Sequence, residues 1–308
     1  MGKLKKIIYC SPKWLLNIPF AIALVYIIVG IISDKSIGII GADGRFNKLT
    51  EKILGLSYYW FFLVLGIIAT ILFSIIRREK YGFGIVFSLV FPIFFFLQAL
   101  VGAKFLFGLE KVIASGKLST FNMNGQSLYG TLFTTFSLAP IVSVLTRKKL
   151  SLIYDYIAPL WMILLIFCRM GCFTDGCCGA NMIIAGGQAF YLPVQLFEMI
   201  FDLGVLALLF SWENNKLTWY KEESNSEKPN LYHGTLFFVM LALYGLYRFV
   251  LEFFRNNPVM FLGMTFGQIY CVIIIIVAGL VLLYSSRKYK TRVEKQKRKE
   301  QRQRHKRK

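Results

Sequence analysis

The sequence predicts an all-α fold, a polytopic membrane helical bundle of about eight transmembrane helices. Three observations predict it. The 308 residues are 56% hydrophobic and only 17% charged, whereas a soluble domain carries about 25% charge. The apolar residues fall in blocks long enough to cross a hydrocarbon core, which takes about 20 helical residues. Lys and Arg gather at alternate connections between the blocks, as in a chain threaded back and forth with its basic loops in the cytoplasm.

The blocks run 14–32, 57–76, 82–103, 128–146, 151–168, 190–211, 232–253 and 262–284. Lys3, Lys5, Lys6 and Lys13 precede the first. It is longer than the usual apolar core of a secretory leader and no A-x-A site follows, so it reads as an uncleaved anchor. Arg77, Arg78 and Lys80 follow the second block. The fourth, LYGTLFTTFSLAPIVSVLT, is the most polar; such a helix persists in lipid when its neighbours satisfy the backbone. Arg147, Lys148 and Lys149 follow it. The fifth opens near Asp155, Ala158 and Pro159, which reads as a helix start with an acid at its N-terminus. An even number of spans puts both termini in the cytoplasm and turns loops 33–56, 104–127, 169–189 and 254–261 outward. Three parts follow: an extra anchor and outer loop (1–56), a seven-helix membrane domain (57–285) and a polybasic, disordered cytoplasmic tail (286–308).

The net charge of +20 is concentrated in that tail, where residues 287–308 hold 13 Lys and Arg against 2 Glu. Beside a membrane such a segment is drawn to anionic lipid headgroups, about 1 kcal/mol per basic residue; a nucleic-acid partner is not expected. The linker 212–230 carries no motif, and the chain has no P-loop, G-x-G-x-x-G or H-E-x-x-H stretch. No cofactor and no metal are expected.

Charged residues inside apolar blocks are costly and mark functional positions. In YRFVLEFFRNNP, Arg248, Glu252 and Arg255 share one helix face. Two arginines against one glutamate leave a positive charge uncompensated near the outer boundary. Arg169 ends the fifth block and Lys104 the third, both on the outer side. Gln195 and Glu198 lie on one face of the sixth. Guanidinium forks match phosphate, so these residues read as an outward-opening pocket for an anionic lipid headgroup.

Six stretches in order make this sequence similar to the prolipoprotein diacylglyceryl transferase family. SYYWFFLVLG (57–66) resembles its first-span W-Y-G stretch, with Tyr59 at the tyrosine. VGAKF (101–105) resembles G-x-R-x, with Lys104 at the arginine. NGQSLYGTL (124–132) resembles G-G-x-S-x-H-G-G-L, which puts Tyr129 at the histidine and Gly130 after it. DYIAPLWMILLIFCRMGCFTDGCCG (155–179) resembles D-x-x-A-P followed by G-R-x-G-N-F, with Arg169 at the arginine and Cys172 at the asparagine. YLPVQLFE (191–198) resembles H-P-S-Q-L-Y-E, with Leu192 at the histidine. RFVLEFFR and GMTFGQIY resemble the last-span R-F-x-x-E-x-x-R and G-Q stretches. The only histidines are His233 and His305, both expected in the cytoplasm.

The resemblance implies seven spans in a bacterial inner membrane. It implies an enzyme that moves the diacylglyceryl group of phosphatidylglycerol onto the lipobox cysteine of a prolipoprotein signal peptide. Arg169, Arg248 and Tyr129 become candidate catalytic residues; Tyr59, Lys104, Gly130, Gln195, Glu198, Glu252, Arg255 and Gln268 become candidate substrate contacts. Two other readings stand beside it: a phospholipid-binding protein that has lost the base, and a membrane thiol–disulfide protein. For the cysteines, the leading expectation is a disulfide joining Cys172 to Cys177 or Cys178 in an oxidising compartment. A metal is disfavoured because C-x4-C-C is not a zinc spacing. Cys168 reads as a small apolar packer.

Overall fold

The computed structural model describes residues 58–174, 182–185, 188–191, 194–215, 234–255, 259–261 and 263–306. The helices are α1 (Tyr58–Arg77), α2 (Ile85–Ser115), α3 (Leu128–Thr146), α4 (Leu150–Thr174), α5 (Val194–Asn215), α6 (Thr235–Glu252) and α7 (Phe266–Lys306). A 3-10 turn, Leu118–Thr120, lies between α2 and α3. Two short antiparallel hairpins not anticipated from the sequence join helices at one end: β1 (Met182–Ala185) with β2 (Gln188–Tyr191), and β3 (Val259–Phe261) with β4 (Met264–Thr265). Among the described residues, seven helices are long and apolar enough to cross a membrane. The expected first span, 14–32, lies outside the described residues.

α4 is the central helix, packed against α1, α3, α5 and α6. It is apolar around its circumference, as a helix enclosed by others must be; Ile153, Ile157, Leu160, Ile163 and Phe167 are all buried. The outer surface is apolar too, with Val86, Phe94, Val101, Val144, Ile200 and Leu280 exposed. That outward apolar belt suits lipid as solvent. Where lipid removes the hydrophobic drive between helices, small residues permit close backbone contact. At the crossing of α2 and α3, a Cβ on Gly130 would lie 2.1 Å from the carbonyl oxygen of Gly102. The polar residues of α3 are satisfied internally: Thr134 Oγ1 donates to Gly130 O at 2.9 Å, and Thr135 Oγ1 to Thr131 O at 2.7 Å.

Several boundaries differ from expectation. α2 has 31 residues; at about 1.5 Å per residue it outreaches a hydrocarbon core of about 30 Å. Lys104 therefore lies within that helix rather than at its end. α4 continues through Thr174, whose hydroxyl donates to the carbonyls of Met170 and Gly171. Arg169 and Cys172 are thus helical residues of the bundle, not members of an outer loop. The tail expected to be disordered instead continues α7 as a helix to Lys306. Lys, Arg, Gln and Glu are good helix formers, and no Gly or Pro interrupts residues 285–306.

Asp155 is also corrected. It is fully buried inside α4 and caps a different helix. The backbone N–H of Gly234 donates to Asp155 Oδ2 at 2.6 Å and that of Phe237 to Oδ1 at 3.3 Å, at the start of α6. Beside it, Arg77 of α1 pairs with Glu213 of α5 at 2.6 Å and donates to the carbonyl of Tyr156 at 2.8 Å. This end of the bundle is locked by a buried ion pair.

Candidate active site

The other end gathers the sequence-predicted residues. α4 ends near it, α5 and α7 begin there, and α6 delivers Arg248 and Glu252 one turn apart. Arg248 spans two carboxylates: Nη1 lies 2.8 Å from Glu198 Oε1 and Nη2 lies 2.7 Å from Glu252 Oε2. Arg169 pairs with Glu198 Oε2. Arg255 Nη1 lies 3.4 Å from Glu198 Oε1, and its Nε 4.0 Å from Glu252 Oε2. The expectation of Glu252 alone facing Arg248 and Arg255 is therefore revised. Glu198, brought in by α5, is shared by all three arginines. The ion-paired set holds three guanidiniums and two carboxylates. A turn further along α5, the buried Asp202 accepts the Tyr247 hydroxyl.

Two cavities meet here. One, of 360 Å³, is charged and lined by Glu110, Tyr129, Arg169, Arg248, Glu252 and Arg255 among others. The second, of 410 Å³, is mostly apolar, with Tyr59, Leu63, Phe96, Ala99, Leu165 and Cys168 in its wall. Gln126, Leu128 and Arg169 line both, so Arg169 stands at their junction. Nε of Arg248 and Nε of Arg255 are buried without a hydrogen-bond partner among the described residues. Buried donors of this kind call for an acceptor.

The remaining predicted residues fall as follows. Tyr59 donates to Gln126 Oε1 at 3.0 Å, and its hydroxyl lies 3.6 Å from Cys168 Sγ. Cys168 therefore contributes to a cavity wall as well as to packing. Tyr129 is buried, its hydroxyl 3.3 Å from Cys271 Sγ. Gln195 is buried at the start of α5. Gln268 closes a capping box on α7: Thr265 N donates to Gln268 Oε1 at 3.0 Å, and Gln268 N to Thr265 Oγ1 at 3.2 Å. Thr265 Oγ1 in turn donates to Glu252 Oε1 at 3.1 Å, so the α7 cap orients the acid. A Cβ on Gly267 would come within 2.6 Å of the Glu252 carboxyl group. Glycine is what lets α7 start against that side chain.

Lys104 does not join the arginines. It is half-exposed and donates to the Met123 carbonyl at 3.4 Å. Its ammonium is taken up instead by the connection between α2 and α3. Cys172 is buried in α4, while Cys177 and Cys178 lie outside the described residues, and the expected disulfide with them. Sequence reasoning missed Glu110, Ser127 and Tyr270. Ser127 Oγ donates to Glu110 Oε1 at 2.7 Å, and Tyr270 also hydrogen-bonds Glu110. The signal that could have found Glu110 is its charge within the long apolar stretch of α2.

An arginine cluster opening onto an apolar chamber can hold an amphiphile with an anionic head. Known proteins are similar to this chain in sequence. A phosphatidylglycerol–prolipoprotein diacylglyceryl transferase 2 of Clostridium perfringens is 26% identical over 262 residues, 79% of this chain and 96% of that protein. A phosphatidylglycerol–prolipoprotein diacylglyceryl transferase of Clostridium tetani is 24% identical over 227 residues, 67% of this chain and 84% of that protein. One from Coxiella burnetii is 30% identical over 176 residues, 53% of this chain and 62% of that protein. The model of the prolipoprotein diacylglyceryl transferase family matches residues 49–284. That stretch runs from just before α1 into α7 and carries every residue of the arginine cluster, so this multi-pass membrane protein belongs to the prolipoprotein diacylglyceryl transferase family.

Proposed function

We propose that the chain transfers the diacylglyceryl group of phosphatidylglycerol to the lipobox cysteine thiol of a prolipoprotein, with release of glycerol phosphate. The observation that carries this reading is the meeting of an apolar and an arginine-lined cavity at Arg169. The apolar chamber takes lipid chains beside Leu63, Phe96 and Leu165. The charged chamber takes the phosphate.

The substrate sulfur attacks the glyceryl carbon that bears the phosphate oxygen. As the C–O bond breaks, its electron pair goes to the leaving phosphate. Arg169 and Arg248 meet the negative charge gathering there. They are positioned in advance by Glu198 and Glu252, so little reorganisation accompanies the reaction. Desolvation of the cavity strengthens the effect. We place this end on the outer face of a bacterial inner membrane, where signal peptides emerge, with the basic end facing the cytoplasm. There the tail sits against anionic headgroups.

The test is transfer from labelled phosphatidylglycerol to a lipobox peptide, using the chain in membranes lacking any other such transferase. A labelled peptide of increased mass is expected. Retention of phosphatidylglycerol with no transfer would favour the lipid-binding reading instead.

A further inference from the structure

We propose that Glu110 is the proton acceptor for the substrate thiol. This presupposes the transferase reading above and adds the group that starts the reaction. An unperturbed thiol has a pKa of about 8.5 and is mostly protonated at neutral pH, so attack by sulfur needs a base. The position that the motif resemblance sets at the family's histidine is Tyr129, which is buried, engaged with Cys271 Sγ at 3.3 Å, and a phenol. A phenol with a pKa of about 10 is ionised too rarely at neutral pH to serve.

The carboxylates near the arginines differ in their surroundings. Glu198 faces three guanidiniums. Glu252 pairs with Arg248 at 2.7 Å and accepts the Thr265 hydroxyl at 3.1 Å. Guanidiniums occupy both carboxylates, which leaves less of either open to a substrate thiol. Glu110 is set up otherwise. It is half-buried in the wall of the charged cavity and forms no ion pair among the described residues. Two neutral hydroxyls hold it, Ser127 at 2.7 Å and Tyr270. The groups around it are Lys111 on its own helix, Tyr129 from α3, Arg169 from α4, Arg248 and Glu252 from α6, Arg255 beyond α6, and Tyr270 from α7.

Its position is fixed by three helices. Ser127 N donates to Ala103 O at 2.9 Å, tying the start of α3 to α2. The Tyr270 ring lies 4.8 Å from the Tyr129 ring, tying α7 to the same place. Two hydroxyl donors leave lone pairs of the carboxylate free for a third. The step balances. The S–H proton goes to Glu110 as the S–C bond forms to the glyceryl carbon. The C–O bond breaks and its electrons leave with glycerol phosphate. The proton then passes from Glu110 to that phosphate or to water, restoring the carboxylate.

The experiment compares the full-length wild type with Glu110→Gln and Glu110→Asp in phosphatidylglycerol vesicles, with a lipobox peptide, from pH 6 to 9. Transfer by Glu110→Gln should fall about 100-fold at pH 7, the size of a general-base contribution. Its rate should then climb nearly tenfold per pH unit at first and level off past the thiol pKa of about 8.5, for a gain of about 25-fold by pH 9. Glu110→Asp should recover part of the rate at neutral pH. Retention of labelled phosphatidylglycerol by each variant reports an intact fold; should Glu110→Gln lose it, Glu110→Asp decides by whether its pH profile shifts. A variant with the wild-type rate and profile would overturn the assignment. So would a loss equal at every pH with lipid still retained, which would make Glu110 a structural residue. No transfer by the wild type is a different result: it defeats the transferase reading, and this assignment with it.

Discussion

Arg248 illustrates how much one side chain is asked to do. Its two Nη atoms reach different carboxylates at 2.8 and 2.7 Å while its Nε is left for another acceptor. An ammonium is a point charge and cannot occupy three directions in one plane. Arg248→Lys should therefore be impaired in transfer despite keeping its charge. Arg169→Ala and Arg248→Ala should each lower the rate about 10²–10³-fold, the usual cost of losing a positioned donor to developing charge. Rates from labelled phosphatidylglycerol check this, with lipid retention measured alongside. Breaking a buried pair also costs about 3–5 kcal/mol of stability, so the retention control separates a misfolded variant from an inactive one. Full activity in both alanine variants would remove the arginines from the mechanism.

Among the elements, the crossing of α2 and α3 matters most to the site. α2 carries Glu110, and α3 begins with Ser127 and Tyr129. Their separation is set by Gly102 and Gly130, whose backbones touch. A methyl at Gly130 would meet a carbonyl oxygen at 2.1 Å, and a backbone atom cannot swing aside as a side chain can. Gly130→Ala should lower the midpoint of thermal unfolding in detergent, at a cost of about 1–3 kcal/mol or more for overpacking. Transfer should fall with it, because Ser127 would be carried away from Glu110. An unchanged midpoint would show that the helices separate freely there. At the opposite end, Asp155 works in the same manner between elements, supplying α6 with the N-terminal acceptor that its own glycine start lacks.

At the scale of the whole molecule, the bundle has two unlike ends. One is closed by Arg77, Glu213 and Asp155; the other opens through two joined cavities. Orientation then decides which substrate reaches the site. Lys117 and Lys149 are exposed at opposite ends of the described bundle. In intact cells a membrane-impermeant thiol reagent should modify Lys117→Cys, and should modify Lys149→Cys only after permeabilisation. The reverse pattern would put the arginine cluster in the cytoplasm, away from an emerging signal peptide.

Much of this was legible in the residues. Length and apolarity are local properties, so the spans from 57 onward could be read off directly. The face shared by Arg248, Glu252 and Arg255 follows from helical spacing alone, and six ordered motifs pointed to the family. What only the tertiary structure decided is which faces meet. Periodicity shows that Glu198 lies on a face of α5, not that the face turns toward Arg169 and Arg248. It gives Glu110 no partner, because Ser127 and Tyr270 come from other helices. It assigned Asp155 to its own helix, although the N–H groups it satisfies belong to α6. Spacing along one chain segment constrains angles around one axis. The contacts that make a site are set by how several axes pack, and that depends on the small residues at every crossing at once.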